Sequence, residues 1–115
     1  MANEVKKGIV LYNIELDGCL NGVFINEHSN GRIWNELLKK LDDTKADNSI
    51  EGTYTAIWID EEQTNGVDTA IVEVVYRDNA FDFTWKHIIG GTRWKGIGYK
   101  MNHNQIVVNY WSHIE

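Results

Sequence analysis

Alternation of apolar and polar residues dominates the second half of the chain. From Thr53 to Ile59, Tyr54, Ala56 and Trp58 fall on one face and Thr53, Thr55 and Ile57 on the other, which is the period of two of a β-strand. Phe81, Phe83 and Trp85 alternate with Asp82, Thr84 and Lys86 in the same way, and that spacing cannot sit on one side of a helix. Between them, Ala70 to Tyr76 is rich in β-branched residues, which predicts a central strand covered on both faces. Trp94 to Met101 and Gln105 to Trp111 follow as two more strands across Asn102-His103-Asn104. Five short strands in close succession imply an antiparallel meander.

The first half is less regular. Ile9 to Leu16 and Cys19 to Asn26 form a hairpin across Asp17-Gly18. The run from Ile33 to Leu41 has two readings, because Trp34, Leu37, Leu38 and Leu41 fit a short helix near 34–41. Asn30-Gly31 is also a favoured hairpin turn, and it returns the chain as a strand from Arg32, paired with Val23 to Asn26. The strand is the favoured reading. Asp42 to Ser49 is a polar loop of the kind that covers a barrel end.

The punctuation agrees with hairpins. There is no proline, and the turn signals Asn65-Gly66, Asp78-Asn79 and Gly90-Gly91 separate segments of strand length. Seven or eight short antiparallel strands without a crossover helix leave exposed edges if the sheet stays open, whereas closure removes them. The expected fold is therefore all-β: one domain over residues 1–115, an up-and-down barrel of seven or eight strands that encloses side chains or one small ligand.

Gly52-Thr53-Tyr54, Trp85, Gly96-Ile97-Gly98 and Val108-Asn109-Tyr110 together resemble small bacterial domains of unknown function with a Gly-x-Tyr, Trp, Gly-x-Gly, Val-x-Tyr pattern. Those domains are calycin-like barrels, related in shape to avidins and lipocalins, so the resemblance implies a calycin or streptavidin-like barrel. The Ser, Thr, Asn and Asp series with which avidins hold biotin does not map onto these strands, and the lipocalin Gly-x-Trp opening is missing. The likeness concerns fold alone.

Composition narrows the partners. A hydrophobic fraction of 43% with 24% charged residues is that of a folding globular chain. The net charge of -6 opposes binding to phosphate backbones and anionic lipid. The basic pairs Lys6-Lys7 and Lys39-Lys40 make no stripe, and Asp42-Asp43 follows the second, so no nucleic-acid partner is expected. No apolar stretch approaches the ~20 residues of a spanning helix, so no membrane insertion is expected. Cys19, the single cysteine, excludes an internal disulfide and mildly favours a reducing compartment. With no signal peptide as written, the expected location is the cytoplasm, although a mature fragment of an exported protein would read the same.

The candidate site residues are Tyr54, Trp58, Phe83, Trp85 and Tyr110, inward aromatics able to wall an apolar pocket, and Glu73. Filling a small barrel is the plainer use of such rings. Glu73 interrupts the apolar run between Val72 and Val74. It is either a buried carboxylate suited to proton transfer or to a ligand amine, or an outward residue paired with a cation such as Arg77, Arg93 or Lys95. Gly96 and Gly98 leave room for a neighbouring ring or a ligand. His28, His87, His103 and His113 are dispersed, and no metal or cofactor is implied. Cys19 reads as a structural thiol. Three functions stay open: binding of a small apolar or amphipathic ligand; self-association as a homo-oligomer through outward Trp111, Tyr99 and Ile97; and, last, an enzyme using Glu73 as acid or base.

Overall fold

The computed structural model describes residues 7–26, 33–41, 50–59, 68–86 and 92–113. They form eight strands: β1 (Lys7–Ile14), β2 (Leu20–Asn26), β3 (Trp34–Lys40), β4 (Gly52–Ile59), β5 (Asp68–Arg77), β6 (Ala80–Lys86), β7 (Thr92–Asn102) and β8 (Gln105–Ser112). Each pairs antiparallel with its chain neighbours, and β1 pairs with β8, so the sheet is an up-and-down closed barrel. Among the described residues there is no helix. The 34–41 segment is strand β3, paired through Phe24 and Trp34 to β2 and through Leu38 and Ala56 to β4. A helix there would have left both neighbouring edges open.

Local chemistry sets the tight turns. Asp78 and Asn79 both adopt positive φ, 53° and 68°, as the mirror-image turn between β5 and β6 requires and as Asp and Asn tolerate best. At the β1–β2 connection Gly18 has φ of 89°, and the Asp17 carboxylate accepts the Cys19 backbone N–H at 3.0 Å. That bond to the charged form, with a smaller contribution from nearby Lys39, holds the Asp17 carboxyl below its ordinary value. The Asn30-Gly31, Asn65-Gly66 and Gly90-Gly91 signals, and the 42–49 loop, lie outside the described residues.

One face of every strand is dry. Leu20 and Phe24 of β2, Trp34 and Leu38 of β3, Phe81, Phe83 and Trp85 of β6, and Ile106, Val108 and Tyr110 of β8 all point inward. On β5 the inward residues are Ala70, Val72 and Val74, while Val75 is 44% exposed. The expectation of a strand covered on both faces is thus corrected: a closed barrel buries only its inside, and the outward β-branched residues of β5 serve strand propensity.

Antiparallel order divides the connections between two ends. The β1–β2, β3–β4, β5–β6 and β7–β8 connections lie at one end, where Ile50 is buried and its carbonyl accepts the Tyr54 hydroxyl at 2.5 Å. At the opposite end β2, β6 and β8 finish and β3 begins, which gathers Phe24, Trp34, Trp85 and Tyr110.

Gly96 and Gly98 face inward on β7. A Cβ on Gly96 would stand 2.8 Å from Val108 Cγ1 and 2.9 Å from the Asn109 carbonyl oxygen, and the backbone atom cannot step aside. Gly96→Ala is therefore expected to destabilise by about 1–3 kcal/mol, against the usual preference for Ala over Gly in a strand. Chemical denaturation checks this, and an unchanged midpoint would mean that β7 does not approach β8 so closely. At Gly98 the nearest ring is Phe83, whose Cε1 would be 3.1 Å from a new Cβ, so packing accounts for the alternate glycines.

Candidate functional site

The barrel interior holds one carboxyl group among the described residues. Alternation along β3 puts Glu36 on the inward face between Trp34 and Leu38, 7% exposed. Tyr12 on β1 donates its hydroxyl to Oε1, and Trp85 on β6 donates its indole N–H to Oε2 at 3.0 Å. Two influences compete at this group. Burial favours the neutral acid, while the Tyr12 and Trp85 donors favour the anion; burial wins and pushes the Glu36 pKa up to about 7. Tyr12 in turn is held well above the usual phenol range, first by burial and then by the adjacent Glu36 charge.

From Trp85, aromatic rings continue towards the end where β2, β6 and β8 finish. Trp85 meets Tyr110 at 5.8 Å between centroids, and Trp94 meets Tyr110 edge-on at 5.4 Å. Phe24 and Trp34 pack edge-on at 5.8 Å. The Tyr110 hydroxyl accepts the Asn26 amide at 3.1 Å, and burial raises its pKa above the ordinary phenol value. Gly8 on β1 makes room for that phenol, since a Cβ there would collide with the Tyr110 ring.

One donor in this region is unanswered. The Trp34 indole nitrogen is buried and has no hydrogen-bond partner among the described residues, and such an orphan costs about 1–3 kcal/mol. The opposite end differs: its Tyr54 hydroxyl is satisfied by Ile50. Burial, then the proximity of Cys19, raises the Tyr54 pKa.

Of the residues selected from sequence, Tyr54, Phe83, Trp85 and Tyr110 point inward, with Tyr54 at the opposite end from Tyr110. Trp58 lies on β4, opposite Glu36 of β3 and Asp68 of β5, and its side chain lies outside the described residues. Glu73 takes the outward of its two readings. It shares the face of Thr69, Ile71 and Val75, but that face is the outer one, and Glu73 pairs with Lys86 at 2.5 Å with its side chain 45% exposed. The cation is neither Arg77, which pairs with Asp82, nor Arg93 or Lys95. An acid or base for the barrel interior cannot be Glu73, because it stands on the other side of the wall.

Glu36, Tyr12 and Trp34 carry the interior polar chemistry and were absent from the sequence-selected set. The signal for Glu36 was a charged residue at an alternate position between Trp34 and Leu38, hidden while the segment stayed open to a helix. His28 and His87 lie outside the described residues; His103 is exposed in the β7–β8 turn and His113 is half-buried. Among the described residues, no three His, Cys, Asp or Glu side chains converge. Cys19 is half-buried, and burial, followed by Asp17, pushes its thiol up in pKa, away from the reactive thiolate.

Compared with known proteins, the chain matches no family model, no curated protein and no solved structure.

Proposed function

We propose that this protein is a calycin-like barrel that binds one small apolar or amphipathic molecule at its aromatic end and performs no chemistry on it. The observation that carries the reading is the Trp34 indole N–H, buried without a partner on the inward face of β3 that Glu36 shares, with Phe24 packed edge-on against its ring. A ligand with an acceptor atom for that N–H would recover its desolvation cost, and its apolar part would gain ~25 cal/mol for each Å² removed from water. Few polar groups in an aromatic surround is the pattern of small-molecule sites. Glu36 would serve as the orienting group, accepting from a ligand donor when charged.

Native mass spectrometry of the purified chain beside its denatured mass tests this reading, together with titration by the neutral dye Nile red. One small molecule per chain, or saturable dye binding weakened by Trp34→Phe, is the expected result; that substitution deletes the N–H and leaves a ring. A bare chain that also fails to bind the dye would end the proposal.

A further inference from the structure

The outer wall of the barrel has two different halves. On β4 to β6 the outward positions are mixed, with Thr53, Glu73, Thr84 and Asp82 among them and the Glu73–Lys86 and Arg77–Asp82 pairs lying across the strands. The other half, made by β7, β8, β1 and β2, is apolar. The register aligns Val23 with Leu11, Leu11 with Val107, and Val107 with Tyr99, one row across four strands. The adjacent outward row aligns Ile25, Ile9, Asn109 and Ile97, so Asn109 is the one polar member of the two rows. Ile9 and Val23 are each 42% exposed, Ile97 37% and Tyr99 52%.

Charge follows the same division. The chain has 17 Asp and Glu, and none of them lies in β1, β2, β7 or β8. Beyond the apolar rows, one border is basic, with Lys7 opposite Trp111 and Trp111 opposite Lys95. The other border is neutral amide, with Asn21 opposite Asn13 and Asn13 opposite Gln105, whose side chain donates to Asn13 at 3.1 Å. An acidic chain has thus kept one wall free of carboxylates, where two copies can meet without the repulsion their net charge of -6 each would otherwise impose.

We propose that a second copy of this chain docks on the β7–β8–β1–β2 wall, related by a two-fold axis that lies in the interface plane and runs across the strands. That axis turns one copy end for end, so the Lys7 and Lys95 border of each meets the Asn13, Asn21 and Gln105 border of the other. An axis along the strands would set lysine against lysine. The apolar rows expose roughly 500 Å², at the upper end of the largest patch a lone monomer shows. With the amide and lysine rims added, the wall approaches the ~800 Å² per partner of a standard interface. Two-fold contacts of this kind are self-complementary, and Tyr99 is the aromatic anchor such interfaces favour.

Sedimentation velocity over about 1–100 µM is the test, in the range where standard interfaces associate. The wild-type chain is expected to sediment as a dimer. Tyr99→Glu and Val23→Glu, each burying a carboxylate in the contact, should weaken the dimer by roughly 100-fold or more. The control Ile57→Glu, at a site on β4 outside this wall that is 41% exposed, should leave it intact. Circular dichroism confirms that each variant folds, and if one of the two wall variants does not, the other decides. A monomeric wild type, a dimer that survives the wall substitutions, or a dimer broken equally by Ile57→Glu would each overturn the proposal. So would a complex whose mass includes a different protein in place of the second copy.

Discussion

The stability of the wild-type chain is expected to fall between pH 4.5 and 7 by about 3 kcal/mol relative to Glu36→Gln, and to run parallel to it above pH 7. The folded Glu36 pKa of about 7 lies above the ordinary 4.5. Between those values the native state holds a proton that the unfolded chain has released. Stability therefore decreases with rising pH across that window, and the contribution is fully present only below it. Asp17, whose folded pKa is lowered, acts in the opposite sense at acid pH. It is common to both proteins, so the difference between wild type and variant isolates Glu36. Gln keeps an oxygen for one donor and an amide that can donate to the Tyr12 oxygen. Denaturant melts at closely spaced pH values read the difference. A difference flat with pH would mean that Glu36 reaches water in the folded state.

Phe83→Ala is the second large effect, expected at about 3–5 kcal/mol. Phe83 is 1% exposed and stacks between Tyr12 at 5.9 Å and Trp85 at 5.6 Å, the two residues that hold Glu36. Its removal takes away packing and frees both donors to move, so the loss should combine a cavity with a loosened polar cluster. The pH dependence assigned to Glu36 should shrink in the same variant, because water admitted to the cavity lowers the desolvation that raises the pKa. Loss of stability with the pH dependence unchanged would show that Phe83 packs independently of the carboxyl.

Much of the barrel was legible as alternation. The period of two in Tyr54 and Ala56, in Phe81, Phe83 and Trp85, and in Ile106, Val108 and Tyr110 reflects a direct physical rule: successive side chains of a strand leave on opposite faces. Hairpin turns such as Asp78-Asn79 were legible because positive φ restricts which residues serve there. The apolar outer wall was partly legible too, since Ile97, Tyr99 and Trp111 alternate with the inward residues.

Direction was not legible. Alternation says that Val72 and Glu73 face opposite ways without saying which of them faces in, and a run apolar on both sides conceals the answer. Closure of β8 onto β1 decides it, because a closed barrel has one dry side, and the register sets Val72 there between Tyr54 and Trp85 while Glu73 is left outside between Thr53 and Thr84. The same closure brought Tyr12, Glu36 and Trp85, from strands far apart in the chain, to one point. Local pattern is a property of neighbours a few residues apart, and it dictated strands, turns and an all-β fold. The carboxyl site and the carboxylate-free wall arise from contacts across the barrel, where long-range pairing sets both the company and the dielectric of each group.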